Sequence, residues 1–136
     1  MIFLVVDDDL SMCKLIELYL SPYGKVVYCT QPHDAVQAFS EQVYKNPFDA
    51  VLLDIVMPND DGYRLAHALR NVEQVAGVSY HKRAKLIYVT AHEGKLVPSA
   101  ASNIMEPDCL INKPFTQESL IADLKAVGLR LVKRRR

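Results

Sequence analysis

No apolar run in this sequence approaches the roughly 20 residues needed to span a membrane. The N-terminal MIFLVV has neither the basic flank nor the small-residue cleavage site of a signal peptide, so the expected location is cytoplasmic. No CxxC pair occurs. Cys13, Cys29 and Cys109 are odd in number and widely spaced, which argues against a disulfide framework or zinc site and for small buried apolar side chains. His33, His67 and His81 have no ligand spacing and are expected at the surface. There is no internal repeat and no low-complexity tract. Net charge is also absent, with 16 basic and 16 acidic residues, so direct nucleic-acid binding is not expected.

What is present points to one soluble globular domain. Half of the 136 residues are hydrophobic, and the length suffices for a single sizeable core. The balanced charge hides an asymmetry. Residues 1–62 hold ten acids and three bases, a net of −7, whereas residues 63–136 carry the compensating +7. An acidic cluster in the first half therefore has cationic partners available in the second.

Five short apolar runs organise the chain: Ile2–Val6, Lys25–Cys29, Ala50–Leu53, Leu86–Val89 and Cys109–Ile111. Their continuity and β-branched content predict strands buried on both faces. Between them, helical spacing appears in Met12, Leu15, Ile16, Tyr19 and Leu20, then Val36, Phe39 and Val43, then Leu65, Leu69, Val72 and Ala76. Gly77 suits the end of the third helix. Residues 78–85 read as a polar, basic, solvated connector. Pro98 limits the segment 94–106 to a short, late-starting helix. A last helix begins near Thr116, a plausible N-cap, with Leu120, Leu124, Val127 and Leu131 on one stripe. Five strands alternating with five helices predict an α/β fold: a doubly wound, flavodoxin-like parallel sheet of order 2-1-3-4-5.

Parallel strands end on one edge, so the residues just after the apolar runs should meet there. They are Asp7 and Asp8, Asp54, Thr90 with Ala91, and Lys113. Three carboxylates in one crevice need compensation, because like charges raise one another's pKa. Lys113 can neutralise one. Mg²⁺ suits the remainder, with Asp8, Asp54 and the backbone carbonyl of Val56 as ligands and Asp7 acting through a coordinated water. A carboxylate beside such a metal suggests phosphoryl transfer, with Asp54 as nucleophile. Lys113, the Thr90 hydroxyl and the Ala91 N–H would then serve the equatorial oxygens.

Four pieces, VVDDD at 5–9, LLDIVMPNDDG at 52–62, VTA at 89–91 and KPF at 113–115, closely resemble the receiver domain of two-component response regulators. They occur in the family's order, and the resemblance covers residues 1–127. It implies a Mg²⁺-dependent switch that takes a phosphoryl group onto Asp54 from a histidine kinase or phosphotransfer protein. It also implies a cis Lys113–Pro114 bond. Residues 128–136, ending in KRRR, then form a basic C-terminal extension or the start of a linker. The chain departs from the family in four places. Leu110 replaces the usual aromatic three residues before the lysine, and the connector before the fourth strand is long. Pro98 and MEP at 105–107 make the fourth helix atypical. Val56 and His92 occupy positions that, in the family, tune phosphoryl lifetime, and an apolar Val56 implies slow self-dephosphorylation.

Two other readings are compatible with the sequence. DDDLS at 7–11 loosely resembles the DxDx(T/V) motif of haloacid-dehalogenase-type phosphatases, with Asp7 as nucleophile and Asp9 as acid. Alternatively, the domain is a receiver-like interaction module that is never phosphorylated. In the preferred reading the protein is a signalling switch rather than an enzyme. Its partners are a histidine kinase or phosphotransfer protein and a downstream target or attached output domain, with a phosphorylation-dependent dimer possible.

Overall fold

The apolar runs become the strands β1 (Ile2–Val6), β2 (Lys25–Cys29), β3 (Ala50–Asp54), β4 (Lys85–Thr90) and β5 (Cys109–Asn112) of one parallel sheet. Its order is β2-β1-β3-β4-β5, as the alternation of elements predicts. The computed structural model describes residues 1–58, 61–91 and 105–134. Among these, four α-helices are present: α1 (Leu10–Leu20), α2 (Pro32–Gln42), α3 (Asp61–Val75) and α4 (Gln117–Ala126). The further helix expected within 94–106 falls almost wholly outside the described residues, and Met105 and Glu106 are not helical.

Local chemistry sets the helix ends. The Asp9 carboxylate accepts the Ser11 N–H at 2.9 Å and caps α1. Thr116 and Ser119 form a reciprocal capping box at the start of α4. Gly77, at φ +77°, terminates α3. There Val78 N–H donates to Glu73 O at 3.0 Å and Gly77 N–H to Gln74 O at 3.1 Å, the paired pattern of a left-handed helix stop.

Because side chains alternate along a strand, the central strands feed two cores. Leu4, Val6, Val51 and Leu53 pack under α2 and α3 with Phe39, Leu65 and Leu69. Phe3, Val5, Leu52 and Ile87 pack under α1 and α4 with Ile16, Leu20, Leu120 and Leu124. Cys13 is fully buried, as the small-apolar reading of the cysteines expects, whereas Cys29 and Cys109 are only half-buried; all three are free thiols.

Two expectations need correction. Leu131 is not on a helical stripe, because α4 stops at Ala126 and Gly128, at φ +99°, turns the chain. Leu129 and Leu131 nevertheless reach the second core. The chain then crosses the turn between α1 and β2, where Arg134 N–H donates to Pro22 O at 2.7 Å. The Arg134 guanidinium also donates to the carbonyls of Ser21 and Gly24, at 2.8 and 3.2 Å. Residues 128–134 are thus held against the domain.

The connector before β4 is likewise not simply solvated. It contains a short 3-10 turn, Tyr80–Lys82, and its end is stitched to α3. Glu73, only 3% exposed, accepts the Ala84 N–H at 2.8 Å and an Arg70 N–H at 2.7 Å. Arg70 also donates to Ala84 O at 2.8 Å and pairs with Asp108 at 3.3 Å. Removing one member leaves buried partners unsatisfied, which costs more than the net strength of the bonds. Glu73→Ala is therefore expected to destabilise the protein by roughly 2–4 kcal/mol. Urea unfolding with an unchanged m-value would register this, and a loss below about 1 kcal/mol would contradict the network's structural weight.

Candidate functional site

The C-terminal ends of β1, β3, β4 and β5 lie on one edge of the sheet, and the register sets their residues side by side. Val6 pairs with Leu53, Asp54 with Val89, and Thr90 with Asn112. Asp7, Asp54 and Lys113 are thereby brought together, with Asp8 beside them. Oxygen atoms of Asp7, Asp8 and Asp54 all lie within 4.8 Å of one another. Asp7 and Asp54 are buried, whereas Asp8 is exposed and gives the cluster its opening.

Lys113 reaches this cluster from the far edge of the sheet. Its backbone N–H donates to Thr90 O at 2.7 Å, which fixes where the side chain starts. Its Nζ then lies 2.9 Å from Asp7 Oδ2 and 3.6 Å from Asp54 Oδ2. The other oxygens are held by turn amides. Asp7 Oδ1 accepts the Asp9 N–H and Asp54 Oδ1 the Val56 N–H, both at 2.9 Å. The backbone after Asp54 is itself pinned by Gly62, where an added Cβ would lie 2.5 Å from Ile55 Cα and 2.7 Å from Asp54 O. A glycine is needed for α3 to start that close.

The charges are not balanced. Burial pushes the Asp54 carboxyl up to about 6, the Val56 N–H and Lys113 pull it down, and the charges of Asp7 and Asp8 push it up again. Burial alone would lower Lys113. Its hydrogen bond to Asp7, with the charges of Asp54 and Asp7, outweighs that and holds the ammonium above its ordinary value. Three carboxylates facing one lysine leave a deficit that a divalent cation would cancel. The all-oxygen donor set, with one exposed member, fits Mg²⁺.

The other predicted residues lie around this cluster. Thr90 is fully buried at the end of β4, and Ala91 follows it on the surface. Val56 is exposed on the loop after β3. His92 lies outside the described residues. Leu110 is half-buried against the α2–α3 core and pairs in register with Tyr88. The Lys113–Pro114 bond is cis. The phosphatase reading needs Asp9 as acid, and its carboxylate is instead engaged as the cap of α1. Sequence reasoning missed Cys13, whose thiol donates to the Asp7 carbonyl at 3.3 Å, and missed why residue 62 is glycine. Nothing in the spacing of Cys13 signals that contact.

The family model for the response regulator receiver domain matches residues 3–125. Among solved structures, a response regulator receiver protein from Burkholderia phymatum is 26% identical, with a TM-score of 0.70 over 96% of this chain and 97% of that one. The Vibrio cholerae chemotaxis protein CheY4 is 22% identical, with a TM-score of 0.69 over 93% and 97%. The N-terminal domain of a three-domain response regulator/sensory box/GGDEF protein from Carboxydothermus hydrogenoformans is 23% identical, with a TM-score of 0.67 over 93% of each chain. The last two likenesses speak to the fold. Among the described residues no helix is long and apolar enough to cross a membrane.

The raised Asp54 carboxyl has a thermodynamic consequence in metal-free protein. Its folded value, about 6, lies above the ordinary carboxylate value of roughly 4, so the folded state binds this proton more tightly. The stability that protonated Asp54 contributes is complete below about pH 4 and is lost as pH rises through about 6. In chelator, Asp54→Asn should therefore be more stable than the parent above pH 7, by about 1–3 kcal/mol, with the gain fading toward pH 4. Denaturant titrations of both proteins across this range test it, and a variant no more stable at any pH would refute it.

Proposed function

Because the chain belongs to the response regulator receiver domain family, we propose that it is a phosphorylation-operated signalling switch with Asp54 as phosphoryl acceptor. The observation that carries this reading is the position of Asp54: at the crevice, with Lys113 Nζ 3.6 Å away and Asp7 and Asp8 alongside. In the proposed reaction an Asp54 carboxylate oxygen attacks phosphorus on a phosphohistidine of a kinase or phosphotransfer protein. The new O–P bond forms as the P–N bond breaks. The electron pair stays on the donor imidazole, and Asp54 becomes an acyl phosphate.

Asp54 needs no general base, because a carboxyl with a value of about 6 is mostly ionised at neutral pH. The Val56 N–H holds one of its oxygens and so orients the nucleophile. Lys113, the Thr90 hydroxyl and the Ala91 N–H are assigned to the equatorial oxygens of the transferring group, where charge concentrates. Asp8, Asp54 and the Val56 carbonyl, with Asp7 through a coordinated water, would hold Mg²⁺, which when bound supplies positive charge against those same oxygens.

Phosphorylation would draw Lys113 and Thr90 toward the new group and shift the adjoining surface. The recipient would be a separate target or an attached output domain, in the cytoplasm. With Leu110 where the family carries an aromatic, that shift has to travel without the usual ring at this position.

Incubation with Mg²⁺ and acetyl phosphate is expected to add one PO₃ unit by intact mass, and the addition should vanish in Asp54→Ala. Retention of the added mass in that variant, or repeated turnover of a phosphomonoester abolished by Asp7→Ala but not Asp54→Ala, would end this assignment. The acyl phosphate should also be long-lived, because exposed Val56 offers an attacking water no hydrogen bond. Val56→Asn is expected to shorten its half-life severalfold, followed by mass spectrometry after donor removal; decay of the parent within seconds would count against the idea.

A further inference from the structure

A second concave surface lies at the opposite edge of the sheet, where the C-terminal ends of α2 and α3 meet the connector before β4. It encloses about 350 Å³. Phe39, Phe48, Val43 and Val78 supply apolar wall, and Ser79 and Lys82 stand on the connector side. Phe39 and Phe48 stack at 6.0 Å. The one carboxylate in the wall, Glu73, has both oxygens engaged by Arg70 and the Ala84 N–H. Lys82 is exposed and has no ion-pair partner among the described residues.

We propose that this surface docks an acidic peptide segment of a partner protein, one apolar side chain of which fills the cavity. Three observations favour that occupant. The first is exposed apolar area beside the lining residues: Tyr44 follows Val43, Val75 precedes Ala76, and Tyr80 follows Ser79, and all three are more than 70% exposed. Large exposed apolar side chains next in the chain to the lining of an apolar cavity suit protein recognition.

The second is charge. Lys82 lines the cavity, and Lys45, Arg83 and Lys85 lie close in the chain to its lining residues. Of the acids near the cavity in the chain, Glu73 is paired with Arg70, whereas Asp49, bonded to the Ile2 N–H at 2.7 Å, and Glu41, bonded to the Gln37 amide, keep their charge. In the wall itself Glu73 is neutralised by Arg70 and Lys82 is not paired among the described residues, so the local charge is positive and calls for an anionic partner.

The third is pre-organisation. The Arg83 guanidinium lies 4.2 Å from the centre of the Tyr80 ring, and His81 meets that ring edge-on at 5.9 Å. Lys82 N–H donates to Ser79 O at 2.9 Å, and Arg70 and Glu73 clamp Ala84. A fixed aromatic beside an open cavity costs little ordering on binding. An unpaired lysine at a hydrophobic hollow fits a side chain flanked by carboxylates better than a nucleic-acid backbone, which offers no apolar anchor.

The inference goes beyond the phosphoacceptor reading and is separable from it. A randomised peptide display library would be panned against the intact protein, with counter-selection on Lys82→Glu. Enriched sequences should share one Leu, Ile, Phe or Trp flanked by Asp or Glu. A labelled synthetic copy should bind with amide shifts confined to residues 43–48 and 76–84. Affinity should fall about tenfold or more in Lys82→Glu and in Tyr80→Ser, each checked for unchanged thermal unfolding. Asp54→Ala should bind like the parent, so loss of phosphorylation and loss of docking are distinguishable. No enrichment over a naive pool, enrichment of neutral or basic peptides, or shifts centred elsewhere would overturn the proposal. So would full displacement of the peptide by single-stranded DNA of equal charge, which would mark the patch as a general polyanion surface.

Discussion

The contact between Lys113 and the two buried aspartates is the constraint on which the rest of the site depends. It joins the end of β5 to the ends of β1 and β3, across 106 residues in the case of Asp7. Without the ammonium, two carboxylates exposed at only 1% and 5% would face each other with no cation between them. Such a pair would either take up protons or pull its strands apart. The backbone anticipates the contact, because Lys113 N–H binds Thr90 O before the side chain turns inward. The order of the sheet therefore does more than bury apolar strands. It delivers one cation to acids that are distant in sequence.

One cation is too few for three acids, and this shortfall gives the site its character. Asp54 keeps a carboxyl at about 6 although Lys113 and the Val56 N–H both favour its ionised form. A site left electrostatically unsatisfied binds cations and electrophiles better than one already neutralised. That is what the proposed phosphoryl transfer requires. Each bond that would fully quiet Asp54 would also weaken it as a nucleophile. Shared with Asp7 and standing off at 3.6 Å, Lys113 compensates Asp54 only in part.

Much of this was legible in the sequence because two signals agree. Apolar runs bounded by turn residues fix where strands end, and parallel topology then says that the following residues meet. Asp7, Asp8, Asp54 and Lys113 do meet. What escaped has physical reasons. Glu73 falls four residues after Leu69, on the buried stripe of α3, but a charged residue there is readable only once Arg70 and the Ala84 N–H are known as partners. Leu131 continues the numerical period of α4, and Gly128 at positive φ breaks it. The polar connector looked solvated because composition cannot distinguish a free loop from one clamped at its end. Nothing in the sequence signals that Gly62 is constrained by the backbone of Asp54 and Ile55.

The two edges of the sheet dispose of their acids in opposite ways, and the difference follows from strand polarity. At the edge where strands begin, amide groups are available. Asp49 takes the N–H of Ile2, Asp108 that of Leu86 at 2.7 Å, and Glu73 that of Ala84. These acids are satisfied, so that edge is free to present apolar and basic surface. At the edge where strands end, the main chain offers carbonyls, and only the following turns supply an N–H. Asp7 and Asp54 each obtain one such bond, and their remaining oxygens are left to a single lysine. The same residue type is therefore satisfied by main-chain amides at one edge and left to share a single cation at the other. The direction of the chain through the sheet decides which.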